Sequence, residues 1–270
     1  MLQSVVCRLE HFETDWYKKF AVKMRREDVT LPLEQRHLVR KTWEFCAIAQ
    51  ALEERNMLQP GRSGLGFAVG REPLSSLFAS YGIDIVATDL ATKDSNRGWI
   101  SDNQHADGLD ALYMDYLIDR AQFNKRVRFQ FADMRKVAKL DVAPVDFLWS
   151  SCAFEHLGSL DAGLDFVVNA MRLVKPGGVA IHTTEYNVSS NDATIRRGGN
   201  VIYRRRDIED LSYRLRRIHC GLERPDFDAG THPYDLVPDV PPYDGTVRKH
   251  IKLELGGYVA TSMLLIIRKA

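Results

Sequence analysis

The stretch that decides the fold is Gly64-Leu-Gly-Phe-Ala-Val-Gly-Arg-Glu-Pro-Leu74, followed by the apolar run Ile83-Asp-Ile-Val-Ala-Thr88 that ends on Asp89. Read in order, it gives a strand, a glycine-bearing turn, a helix and a second strand with an acid at its carboxyl end. Glycine reaches positive φ and lets the backbone pass close to a ligand, and an acid at a strand tip accepts hydrogen bonds from both hydroxyls of a ribose. The unit predicts a nucleoside site without fixing which nucleoside.

Three further segments narrow the reading. Phe131-Ala-Asp-Met134 ends a third strand on a second acid, and Val145-Asp-Phe-Leu-Trp-Ser-Ser151 is a fourth strand running into Cys152-Ala-Phe-Glu-His-Leu157. A helical stretch from Gly163 to Val174 stops at Lys175-Pro-Gly-Gly178 and leads into the strand Val179-Ala-Ile-His-Thr-Thr184. This ordered set resembles the class I S-adenosylmethionine-dependent methyltransferases, well over residues 60–190 and with support from the tail after 245. The motifs are individually loose and jointly specific: glycine turn, acid nineteen positions after Gly70, acid-Met after the third strand, Pro-Gly-Gly before the fifth.

The resemblance implies an α/β fold, a doubly wound, mostly parallel, seven-stranded Rossmann-like sheet with an antiparallel C-terminal hairpin strand. It implies S-adenosyl-L-methionine as cofactor, with Asp89 on the ribose hydroxyls, Asp133 and Met134 flanking the adenine, and Gly66, Ala68, Val69 and Gly70 along the methionine part. Ser150 and Ser151 would border the same pocket. One departure stands out: the family's middle glycine is Ala68 here, and an alanine allows close approach only with negative φ. A register beginning at Gly64 is also open.

With 270 residues, 45% of them hydrophobic, the chain suffices for one α/β domain with embellishments. Lys and Arg number 37 against 36 Asp and Glu, so global charge gives no argument for a polyanionic partner. Positions 203–217 hold six arginines, read as a solvated helix face ahead of an RNA footprint; nucleic acid is the less favoured partner. Cys7, Cys46, Cys152 and Cys220 match no Cys-x-x-Cys spacing, which suggests reduced thiols in a cytoplasmic protein. Glu10 and Glu13 interrupt the amino terminus, so neither a secretory signal nor a membrane span is expected there.

Along the chain, residues 1–60 read as an N-terminal helical extension, in which Leu38, Trp43, Ile48, Ala49 and Leu52 recur at helical spacing and Arg40, Lys41 and Glu44 take the polar side. That side reads as surface charge or an acceptor-binding lid. Residues 61–270 read as the catalytic domain. Strands are expected near 63–69, 83–88, 127–131, 145–150 and 178–184, with helices over 72–81, 105–121 and 160–174, an alternation that makes a parallel sheet with ligands at its carboxyl edge. Residues 189–246 read as an acceptor-side insertion or lid, with a helix capped by Asp207 and a proline-rich stretch carrying His232 and Asp235. His250–Leu255, Gly256-Gly257 and Tyr258–Ile267 read as two strands joined by a two-glycine turn, which argues against a two-halved dinucleotide dehydrogenase.

The candidate catalytic residues are Glu155, His156, His182 and Glu185, all expected on the cleft at the tips of the fourth and fifth strands. Glu155-His156 resembles the end of the Glu-x-x-Glu-His metal motif of small-RNA 2′-O-methyltransferases and ubiquinone-pathway O-methyltransferases, with Cys152 at the first glutamate position. Three roles stay open for the pair: helix cap, base or acceptor contact, and ligand to magnesium or manganese together with His182 and Glu185. The expected activity is O-methylation of a small hydroxylated acceptor such as a sugar or glycan. RNA 2′-O-methylation and a non-catalytic cofactor-binding module are the alternatives, and no oligomeric state follows from the sequence.

Overall fold

The computed structural model describes residues 1–91, 105–243 and 247–270. Its strands are β1 (Val5–Val6), β2 (Leu38–Val39), β3 (Ser63–Phe67), β4 (Asp84–Asp89), β5 (Val127–Phe131), β6 (Val145–Ser151), β7 (Val174–Asn187), β8 (Cys220–Leu222), β9 (Lys249–His250), β10 (Leu253–Leu255) and β11 (Tyr258–Lys269). The main sheet runs β1-β11-β7-β6-β3-β4-β5, parallel from β7 through β5 and antiparallel where β11 joins β7. The order reverses between β3 and β6, which puts a ligand crevice at their carboxyl ends.

The hairpin at the carboxyl end forms as its two glycines require. Leu255 pairs with Tyr258 across Gly256 and Gly257, whose φ values are +57° and +83°, a backbone that only glycine adopts cheaply. The seventh position of the sheet is shared by three short strands, β1, β8 and β10, each laid along β11. The amino terminus thus supplies an edge strand before its first helix begins.

Alternation along the central strands builds two cores, one on each face of the sheet. Phe147, Trp149, Val179, Ile181, Leu264 and Ile266 face the N-terminal helix Arg40–Glu53 and the helix Leu74–Ser80. Leu148, Ala180, Met263, Leu265 and Ile267 face the helices Leu160–Ala170 and Arg205–Arg216. Each fully buried apolar side chain in these layers contributes about 1.5–3 kcal/mol by leaving water. Helix Arg40–Glu53 is buried nearly all round, from Thr42 through Ala49, and so behaves as a core helix.

Three expectations are corrected. The helix over 105–121 is replaced by a short 3-10 turn at Leu109–Leu112 and an α-helix at Arg120–Arg126, because Asp119 accepts the Gln122 N–H and caps a helix that starts after it. Residues 92–104 lie outside the described residues, as do 244–246 of the expected lid. Asp207 does not begin its helix: the helix starts at Arg205, and Asp207 sits in its first turn, accepting the Arg204 N–H at 2.8 Å. Lys175-Pro-Gly-Gly178 lies within β7 as an outward bulge, Val145 pairing with Val174 and Phe147 with Val179. No helix among the described residues is long and apolar enough to cross a membrane.

Candidate active site

The glycine turn after β3 is tight and left-handed at two points, with φ +48° at Ala68 and +50° at Gly70. Ala68 therefore occupies the conformation that an L-residue adopts at a cost of roughly 1–2 kcal/mol, against the negative φ expected for it. Gly66 answers to packing. A Cβ there would lie 2.4 Å from Trp149 Cζ2 and 2.5 Å from Val69 Cγ1, so the absent side chain makes room for the indole beneath the turn. Val69 is buried and donates its N–H to the Thr88 carbonyl at 3.1 Å, tying the turn to β4.

Asp89, at the tip of β4, is 7% exposed, and three backbone N–H groups already donate to it: Gly70 at 3.1 Å, Ala106 at 3.1 Å and Leu90 at 2.8 Å. Burial pushes its carboxyl up, partly offset by these amides. A carboxylate offers about four acceptor positions, so one remains for a ribose hydroxyl, while the others fasten the glycine turn to the strand edge. Asp133 caps the turn Met134–Lys139 and is gripped through both oxygens by Arg135 at 2.9 Å, which holds its carboxyl below the usual range. Met134 beside it is buried.

Alternation decides the rest of the strand-tip residues. Ser151, Thr183, Glu185 and Ser262 continue the face on which helix Arg40–Glu53 packs, whereas Ser150, His182 and Thr184 continue the opposite face. His182 and Glu185, three apart in one strand, cannot share a cleft wall, so the expectation that both face it is corrected. Ser150 and His182 bond each other at 2.8 Å in full burial, with the imidazole edge-on to Phe154 and Phe166 and its Nε2 unpartnered; burial holds that ring down at about 3. His156 turns away to the Gly199 carbonyl at 2.7 Å.

On the cleft face the centre is a residue from the polar side of helix Arg40–Glu53, the side that helical spacing assigns to surface charge or an acceptor-binding lid. Glu44 is fully buried and accepts from Lys41 Nζ at 2.7 Å, Ser151 Oγ at 3.0 Å, Cys152 Sγ at 3.1 Å and Ser262 Oγ at 2.5 Å. Burial would raise its carboxyl, but Lys41 and Arg40 overcome that and hold it at about 2. Arg40 reaches on to Ser262 Oγ at 3.0 Å and Glu185 Oε1 at 2.5 Å. The signal available in the sequence was an acid set between Trp43 and Phe45, at the head of the apolar run 45–49, where burial calls for a polar partner.

Glu155 and Glu185 do come together. With Cys152 Sγ, their ligand atoms lie within 4.8 Å of one another, and Glu155 Oε1 and Glu185 Oε2 are buried without a partner. Glu155 Oε2 accepts from Thr184 Oγ1 at 3.1 Å, and burial raises its carboxyl. This set does not fit the magnesium or manganese ion considered above. Those ions take oxygen ligands, whereas one donor here is a thiol whose proton burial retains, and the Arg40 cation already occupies Glu185.

The arginines of 203–217 are largely matched to acids: Arg204 to Asp207, Arg205 to Glu209, Arg206 to Asp192, and Arg214 to Asp161, Asp165 and Asp210. No protein-family model matches the sequence, and no curated protein matches it significantly. Among solved structures, the magnesium protoporphyrin IX methyltransferase of Synechocystis PCC 6803 with bound SAH is similar at a TM-score of 0.52, over 97% of this chain and 97% of its own, at 10% identity. A Galdieria sulphuraria structure assigned to sarcosine dimethylglycine methylation gives 0.51, over 95% and 99%, at 13% identity.

The chain has the class I methyltransferase fold. At the carboxyl edge of that fold stand Asp89, with one acceptor position open, the buried Met134 and Glu72, and the part-exposed Lys41. The two solved relatives act by name on a porphyrin and on amino acids, so likeness of fold carries no acceptor across.

Proposed function

We propose that the protein is an S-adenosylmethionine-dependent methyltransferase acting on a hydroxyl of a small acceptor, a sugar or glycan. The observation that carries this reading is a trio of unpaired polar atoms, all buried: Glu155 Oε1 after β6, Glu185 Oε2 on β7, and Nε of Arg40, which reaches Glu185 from the start of its helix. Buried polar atoms without partners are costly, about 1–3 kcal/mol each, and two acceptors beside one donor complement a molecule with neighbouring hydroxyls.

The cofactor supplies an electrophilic methyl when bound; the chain must orient the hydroxyl and accept its proton. Glu185 is the base in this reading, because Arg40 binds its Oε1 and leaves Oε2 to the hydroxyl. Glu155, whose carboxyl burial raises, orients a second hydroxyl through its unpartnered Oε1. His156 and His182 take no part. Pairing of the 203–217 arginines with acids withdraws the charge that an RNA backbone would need.

The test is transfer of a labelled methyl from S-adenosylmethionine to a panel of monosaccharides, nucleotide sugars, short RNA and amines, with mass analysis of products. A methyl ether on a sugar, lost about 10²–10⁴-fold in Glu185→Gln while cofactor affinity stays, is expected for a general base. N-methylated product, or an unaffected Glu185→Gln enzyme, would remove the assignment.

A further inference from the structure

We propose that Glu72 and Lys41 clamp the amino-acid end of the cofactor, Glu72 taking its ammonium and Lys41 its carboxylate, so that the N-terminal helix forms part of the cofactor site. The proposal rests on the cofactor reading above. Glu72 follows the left-handed Gly70 by two residues and is 7% exposed, with Oε1 accepting from Trp149 Nε1 at 2.6 Å. That indole lies beneath Gly66 and meets Phe78 edge-on, so it fixes the carboxyl against the turn.

Among the described residues no cation pairs with Glu72 within ion-pair distance, whereas Glu44 has Lys41 and Arg40, Glu185 has Arg40 and Asp133 has Arg135. Burial raises the Glu72 carboxyl to about 8, with Glu44 and Asp89 adding to the rise and Trp149 and Lys41 opposing it. Its natural complement is a cation that arrives from outside. Glu44 cannot serve, because lysine, serine and thiol donors already fill both of its oxygens.

Lys41 is the matching half. Its Nζ uses one of three donors on Glu44 at 2.7 Å, and its side chain remains 39% exposed, whereas Arg40 beside it is 13% exposed and spent on Glu185 and Ser262. Lys41 is also the cation whose charge bears on Glu72. The two groups come from separate elements, the turn after β3 and the helix Arg40–Glu53, and offer a carboxyl and an ammonium to the two ends of one zwitterion.

Calorimetric titrations with three nucleosides separate the parts. S-Adenosylhomocysteine carries both the ammonium and the carboxylate, decarboxylated S-adenosylmethionine the ammonium and a sulfonium without the carboxylate, and methylthioadenosine neither end group. Glu72→Gln keeps an acceptor for Trp149 and should weaken S-adenosylhomocysteine at least ten-fold while methylthioadenosine changes less than two-fold. Lys41→Met should weaken S-adenosylhomocysteine about five-fold or more and leave the decarboxylated cofactor within two-fold. In the wild-type protein at pH 7, an ammonium arriving at protonated Glu72 should release a proton, seen as a binding enthalpy that depends on the buffer and loses that dependence in Glu72→Gln. Equal weakening of all three nucleosides, or no proton release, would overturn the clamp. A wild-type protein that binds none of the three would overturn the cofactor reading itself.

Discussion

The place of Asp89 at the tip of β4 was legible because it closes an apolar run that follows a glycine turn and a helix. Glu44 was not, because helical spacing places it on a polar side without saying what faces that side; here it is the tips of β6, β7 and β11. Its carboxyl is held at about 2, below an ordinary 4.5, so its stabilising contribution is complete above pH 4.5 and is lost as pH falls toward 2. Glu44→Gln should cost roughly 3 kcal/mol at pH 7, the scale for breaking a buried pair, and should flatten the loss of stability between pH 4.5 and 2. Urea melts over that range check it; parallel curves for the two proteins would show that Glu44 carries no linkage. Ala68 offers a second measurement: with φ at +48°, Ala68→Gly should raise stability by about 1 kcal/mol, and a fall would mean that the methyl packs more than the backbone strains.

At the scale of elements, the parallel strands and their order were readable from alternating apolar runs and turn residues, and the β10–β11 hairpin from its two glycines. What alternation also contained, and simple proximity of motifs concealed, was the division of the strand tips: Ser151 and Glu185 on one face, Ser150 and His182 on the other. The helix expected over 105–121 failed because turn-forming polar residues within it outweighed its apolar content, Asp119 above all. The hairpin makes a sharp prediction. Replacing Gly256 and Gly257 with alanine forces two side chains into φ near +57° and +83°, and the first Cβ would lie 2.6 Å from Ile195 Cδ1. A loss of about 2–4 kcal/mol is expected from the two left-handed residues, read from the urea midpoint. An unchanged midpoint would mean that the turn re-forms with another geometry.

The whole molecule is closed by contacts between its two ends, which no local pattern announces because the partners stand far more than a hundred residues apart. Val5 and Val6 pair with β11, Arg8 binds Asp226 and Asp228, and Arg55 binds Glu223. Deepest is the pair of Lys252 and Asp235, 1% and 2% exposed in their side chains, with Lys252 Nζ donating to the Cys7 carbonyl at 2.7 Å and Asp235 Oδ1 accepting the Leu9 N–H at 2.9 Å. The stretch 226–243 is therefore part of the scaffold, and removing it would take the anchor of the amino terminus with it. Asp235→Asn leaves Lys252 charged and unmatched in the interior and should cost about 3–5 kcal/mol, whereas Asp235→Leu with Lys252→Met removes both charges and should recover much of that loss. Nucleoside binding at the far edge of β3 and β4 should stay within two-fold in the double variant. If the single and double variants melt alike, the two charges do not act as a pair, and the backbone contacts of Cys7 and Leu9 hold the ends together by themselves.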